Sequence, residues 1–97
     1  MTVLSKLFAP GKIGKLEIKN RIMQAPMGTF SYNDESVPSQ QTIDYFVERA
    51  KGGVGLIICH AVRATPESRV PGVPILYEDK YIPTMAKIAD AIHEAGA

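Results

Sequence analysis

Asn20-Arg21-Ile22-Met23-Gln24-Ala25-Pro26-Met27-Gly28-Thr29 is the stretch on which the reading of this chain turns. Ile22 to Ala25 reads as a short buried strand that runs straight into a proline and a glycine. A strand stopping this abruptly leaves backbone groups unpaired at its C-terminal end, and in parallel α/β proteins that end is where ligands sit. None of these residues is an acid, a base or a nucleophile. The stretch therefore suggests a place where backbone meets a flat ligand. A strand end followed by an ordinary turn fits the same spacing, and the local pattern leaves both readings open.

Outward from that strand, Ile13, Leu16 and Ile18 alternate with charged residues around Gly14-Lys15, which predicts a hairpin over 13–18. Leu4 to Phe8 is a short apolar start closed by Pro10-Gly11. Thr29 to Pro38 has loop chemistry. Ile43, Phe46, Val47 and Ala50 form a helical stripe, with Ser39 as N-cap and Gly52-Gly53 as the stop. Val54 to Cys59 is nearly all apolar and predicts a strand buried on both faces. Val62 to Lys80 is a long loop with three prolines, a length that in compact domains accompanies function or disorder. Met85, Ile88, Ala89 and Ile92 predict a last helix, capped by Asp79 or Ile82 and ended by Gly96.

Strand, helix and strand in that order make a parallel βαβ unit the natural topology. Met27 and Ala61 follow the two strands 61 − 27 = 34 positions apart, and a βαβ unit takes about 30 residues or more. A third strand is expected after Gly96-Ala97. Two parallel strands and two helices leave a bare sheet edge, so the chain is expected to be the opening piece of a larger α/β domain. A closed barrel of that kind takes about 250 residues.

Composition narrows the function classes. With 45% hydrophobic and 22% charged residues the chain is globular, and a net charge of +1 gives no basis for nucleic acid or a membrane surface. The N-terminus, residues 1–11, has no apolar leader pattern, and no apolar run is long enough to span a membrane. The single Cys59 excludes an intrachain disulfide and fits a reducing, cytoplasmic setting. One cysteine and two distant histidines do not make a zinc or iron–sulfur site.

The pattern Leu7-Phe8-x-Pro10, Gly14-x-Leu16-x-Ile18-x-Asn20-Arg21-Ile22 and Ala25-Pro26-Met27 resembles the old yellow enzyme family of flavin ene-reductases. The agreement continues through Tyr45-Phe46, Arg49-Ala50-x-Gly52-Gly53-Val54-Gly55-Leu56-Ile57 and His93-Glu94-Ala95-Gly96-Ala97, so it covers nearly the whole chain. Ala25-Pro26-Met27-Gly28-Thr29 looks most like the branch with 2-enoate and 2,4-dienoyl-CoA reductases. The resemblance implies an α/β fold: an N-terminal hairpin capping the bottom of a (β/α)8 TIM barrel, plus its first two βα units, with residues 1–97 the N-terminal part of one FMN-binding domain. It implies FMN at the C-terminal mouth, NADH or NADPH as reductant and an activated alkene as substrate. By the same resemblance the flavin contacts fall on Ala25, Pro26, Met27, Gly28 and Ala61. Family members often carry cysteine or threonine where this chain has Gly28, so any side-chain tuning there falls to Thr29.

The family's catalytic residues lie beyond Ala97, as would any iron–sulfur cluster or FAD. No catalytic residue and no metal ligand is therefore assigned to this chain. The remainder of the barrel would be required for activity, and the isolated chain is expected to be inactive. A lyase or aldolase on the same barrel, or a truncated non-catalytic fragment, are the rival readings. His60 reads as a hydrogen-bonded strand-end histidine and Cys59 as a small buried residue. Gly52-Gly53-Val54-Gly55 precedes a strand, so it reads as helix termination rather than a phosphate loop. Arg63 and Arg69 read as solvated loop residues, with recognition of a carboxylate or a CoA phosphate as the functional alternative. His93 suits the C-terminal end of a helix, and Tyr45 reads as packing.

Overall fold

The computed structural model describes residues 4–97; residues 1–3 of the N-terminal segment 1–11 lie outside the described residues. A single helical turn, α1 (Ser5–Phe8), leads into the hairpin of β1 (Gly11–Ile13) and β2 (Leu16–Ile18), paired antiparallel with Ile13 opposite Leu16. Then come β3 (Met23–Gln24), α2 (Gln40–Lys51), β4 (Leu56–Ile57) and α3 (Ile82–Glu94). β3 and β4 are parallel, with Met23 beside Leu56 and Gln24 beside Ile57.

The regular strands are shorter than the expected Ile22–Ala25 and Val54–Cys59, but the backbone pairing is longer than they are. Gly55 N–H donates to Ile22 O (3.0 Å), Ile58 N–H to Gln24 O (3.2 Å) and Met27 N–H to Cys59 O (3.0 Å). Pro26 has no N–H to give, so the regular pattern breaks there and resumes once at Met27. The expectation of unpaired backbone at the strand end is corrected for the Met27 amide, which is taken by Cys59.

Asn20 closes the other end. Its side-chain N–H donates to Gly53 O (2.7 Å), and its Oδ1 accepts from Ile22 N–H (3.1 Å). A Cβ on Gly55 would stand 2.5 Å from Asn20 Oδ1 and 2.7 Å from Asn20 O, so only glycine lets the strand come this close. The glycines after α2 thus end the helix and admit the clamp.

α2 begins where expected, with Ser39 Oγ accepting from Thr42 N–H (3.2 Å). α3 does not. A 3-10 turn, Asp79–Tyr81, feeds directly into it, Tyr81 is its N-cap, and neither Asp79 nor Ile82 caps it. The continuous turn already uses the first backbone donors, for Tyr81 N–H bonds to Glu78 O (3.1 Å) and Ile82 N–H to Asp79 O.

Ile43, Phe46 and Ala50 of α2 pack against Ile88 and Ile92 of α3, with Ile57 and Cys59 of the β4 segment beneath them. Each large apolar side chain buried there is worth about 1.5–3 kcal/mol. Ala89, expected in this stripe, is exposed; Ala91 and Ala95 take its place against the core. The expectation that the second strand is buried on both faces is also corrected. Ile57 and Cys59 face the helices, whereas Ile58 is 43% exposed, and on β3 Met23 is 53% exposed. Period-two alternation places these residues on the face that no helix covers.

The surface area tells the same story. The chain exposes 6518 Å², against roughly 5,500 Å² for a closed monomer of its mass. Its radius of gyration is 15.2 Å, against about 13 Å for a compact domain of 100 residues.

Candidate functional site

A cleft of about 230 Å³ opens beyond the C-terminal ends of β3 and β4. Pro26, Met27, Gly28, Thr29 and Phe30 form one wall; His60, Ala61 and Arg63 form the second; Gly72, Val73 and Pro74 close the rim. The lining is mainly apolar, with a few polar groups at one side, as in small-molecule sites generally.

Four of the five expected contact residues meet here: Pro26, Met27, Gly28 and Ala61. Ala25 does not line the cleft. It lies one step inside the paired segment, upstream of the proline at which the chain turns into the wall. Glycine at position 28 has a steric reason. A Cβ added there would come within 3.3 Å of the Phe30 ring, which stands over it. Thr29 lines the cleft but its hydroxyl is engaged with Thr42 Oγ1 (2.8 Å) and Ser31 Oγ (3.2 Å). Its hydroxyl thus anchors the loop to the buried first turn of α2.

The long segment 62–80 is an ordered strap. Arg63 N–H donates to Pro74 O (2.9 Å) and Leu76 N–H donates to Arg63 O (2.9 Å), a parallel bridge between Arg63 and Ile75. On its other side Ile75 N–H donates to Ser36 Oγ (2.8 Å), and Ser36 is fully buried. Tyr32 N–H donates to Gly72 O (3.3 Å). Gly72 has φ +79°, and a Cβ there would be 2.4 Å from Phe30 O. The rim therefore depends on glycine at that position.

His60 and Tyr32 form the polar side of the cleft. Tyr32 is buried, and its hydroxyl lies 2.5 Å from His60 Nε2, with the rings edge to face. The expectation of a hydrogen-bonded strand-end histidine holds, yet the residue also lines the cleft. Burial lowers the His60 pKa. Burial, reinforced by the Cys59 charge, raises that of the Tyr32 phenol. At neutral pH the imidazole is uncharged and the phenol keeps its proton, so Tyr32 O–H donates to Nε2. Cys59 is half-buried against the core and its thiol pKa is raised by burial, which suits a packing role.

Arg69 is tied to Asp34 by a 3.5 Å ion pair and by a 2.9 Å bond to its carbonyl, so it braces two loops. His93 lies exposed in the last turn of α3. Tyr45 packs edge to face on Phe46 under the Arg49 guanidinium. Phe30, Tyr32 and the Gly72–Pro74 rim were not expected at the site. The only trace of the first two in the sequence is a pair of aromatics within a polar run. Among the described residues there is no cluster of metal-ligating side chains, and no helix is long and apolar enough to cross a membrane.

A sequence profile described as "NADH:flavin oxidoreductase / NADH oxidase family" matches residues 6–97. The chain is 42% identical over 99 residues to an NADH oxidase of Thermoanaerobacter brockii, covering 100% of this chain and 15% of that protein. It is 32% identical over 96 residues to an NADPH dehydrogenase of Listeria monocytogenes, covering 97% of this chain and 28% of the relative. Among solved structures, an Old Yellow Enzyme from a Pichia species superposes with a TM-score of 0.83 at 30% identity, over 95% of this chain and 24% of that one. Morphinone reductase in complex with tetrahydroNAD superposes with a TM-score of 0.80 over 94% of this chain and 24% of that one. The chain thus spans between 15% and 28% of these relatives and has the architecture of a segment of an α/β barrel.

Proposed function

The chain belongs to the NADH:flavin oxidoreductase / NADH oxidase family, and from that premise we propose that it forms one side of the FMN site of an NAD(P)H-dependent reductase of activated C=C bonds. In this reading residues 1–97 are the first part of one FMN-binding (β/α)8 barrel, the hairpin lies at its N-terminal end, and β3 and β4 begin the barrel wall. The observation that carries the proposal is the meeting of Gly28 and Ala61, from two adjacent parallel strands, in one apolar cleft at their C-terminal ends.

The residues present fit a flavin ring. Pro26, Met27 and Phe30 offer apolar surface, and Gly28 and Ala61 keep two approaches free of bulk. Tyr32 and His60 add polar contacts without adding charge. When bound, FMN supplies the carrier that takes hydride from the nicotinamide and passes it to the alkene. The chain's own part is to hold the ring flat, keep water from it and fix its edge with backbone groups of a strand end. The exposed Met23 and Ile58 suit a barrel interior closed by further strands.

Expression of the complete coding sequence should give a yellow protein with one FMN per chain. It should bleach with NADH or NADPH under anaerobic conditions and regain colour on adding an activated alkene. A colourless protein that takes up no added FMN would sink the proposal. The 97-residue chain alone, with its excess exposed surface, is expected to hold no stoichiometric flavin and to reduce no alkene.

A further inference from the structure

Arg63 stands two residues past Ala61, and its main chain is fixed twice, by the bonds to Pro74 O and from Leu76 N–H, each 2.9 Å. Its side chain lines the cleft, and its Nε is buried with no hydrogen-bond partner among the described residues. A guanidinium is permanently charged and presents five N–H donors in a planar fork that matches a carboxylate or phosphate. Burying one of those donors unpaired is unfavourable, and a ligand oxygen would relieve it. The cleft offers no internal counter-ion, for no aspartate or glutamate is among its lining residues. The other lining residues are uncharged or apolar, so Arg63 supplies the one fixed charge of the cleft.

The geometry points to Arg63 as a specificity-determining residue that grips an oxyanion of the molecule entering the cleft, namely the carboxylate of an unsaturated acid. This rests on the flavin reading above. The flavin's own phosphate is the other source of the same chemistry, and the experiment separates the two.

The flavin-loaded protein, made from the complete coding sequence, is compared with its Arg63→Ala and Arg63→Lys variants on cinnamate and on methyl cinnamate. Arg63→Ala should lower kcat/KM for the acid about tenfold to hundredfold, as expected for loss of a charge-assisted hydrogen bond. The ester and the FMN dissociation constant should stay within about twofold, and Arg63→Lys, which keeps the charge without the fork, should recover part of the loss. If FMN binding weakens tenfold and both substrates fall together, the oxyanion is the flavin phosphate and the substrate assignment is overturned. Equal kcat/KM for acid and ester in all three proteins, with flavin bound normally, overturns this inference alone. A wild-type protein that takes up no flavin overturns the proposed function and this inference with it. Should Arg63→Ala not fold, Arg63→Lys decides: an acid-to-ester ratio unchanged from wild type refutes the grip.

Discussion

On the helix side of the chain, Phe46, Ile88 and Ile92 are almost fully buried and hold α2, α3 and β4 together by apolar contact. On the cleft side, Tyr32, Ser36, Arg63, Gly72 and Ile75 are held by hydrogen bonds between loops that lie far apart in sequence. Both sides are ordered, but by different means. Apolar packing is non-directional and tolerates small shifts by repacking. A rim stitched by directional bonds fixes the position of its backbone, as the proposed flavin site would require.

Substitutions in the protein made from the complete coding sequence can break or sharpen this contrast. The largest effect is expected from Phe46→Ala, at the centre of the helix-side core. It should remove about 3–5 kcal/mol of stability, read by urea melts, and should affect the cleft only through global unfolding. A loss below about 1 kcal/mol would show that the core is not organised around this ring.

Ser36→Ala should do less to stability and more to the rim. Ser36 Oγ accepts from Ile75 N–H at 2.8 Å and donates to Ile75 O at 3.3 Å, so its loss leaves two buried backbone groups unpaired. The expected loss is about 1–3 kcal/mol, together with faster amide exchange and proteolysis within residues 62–77. Uniform protection of that strap in the variant would mean that the serine bonds do not hold it.

The smallest effect concerns pH. The His60 pKa is lowered below its ordinary 6.5, chiefly by burial. The folded state therefore binds fewer protons than the unfolded state as pH falls. The associated stability is complete above the unfolded pKa and is lost as pH falls through the lowered folded value. His60→Gln should flatten the melt-versus-pH curve on the acid side of neutrality while leaving alkaline behaviour unchanged. An identical acid-side slope in the variant would remove His60 from the account.

Much of the helix side was legible in the residues. The spacing of Ile43, Phe46 and Ala50 and the Ser39 cap are local, periodic facts, and α2 follows them. In the second stripe Ile88 and Ile92 reach the core as their spacing predicts, whereas Ala89 is exposed and Ala91 and Ala95 pack there instead. The proline and glycine after β3 marked the cleft wall for the same local reason. Ala25, which the family motif groups with the wall, does not line the cleft. Phe30 and Gly72 were beyond reach. Gly72 is explained by Phe30, 42 residues away by subtraction of their numbers (72 − 30), through a backbone approach that no spacing rule encodes.

By itself the sequence determined what is local or periodic: two amphipathic helices, a hairpin around Gly14-Lys15, a strand broken by Pro26, and the motifs shared with flavin oxidoreductases. Only the tertiary structure decided that Met27 spends its amide on Cys59, that Tyr32 meets His60, and that the strap from Arg63 to Leu76 returns to close the rim. Those contacts join segments by directional bonds across loops. Their partners are selected by the packed backbone and leave no period in the chain to read.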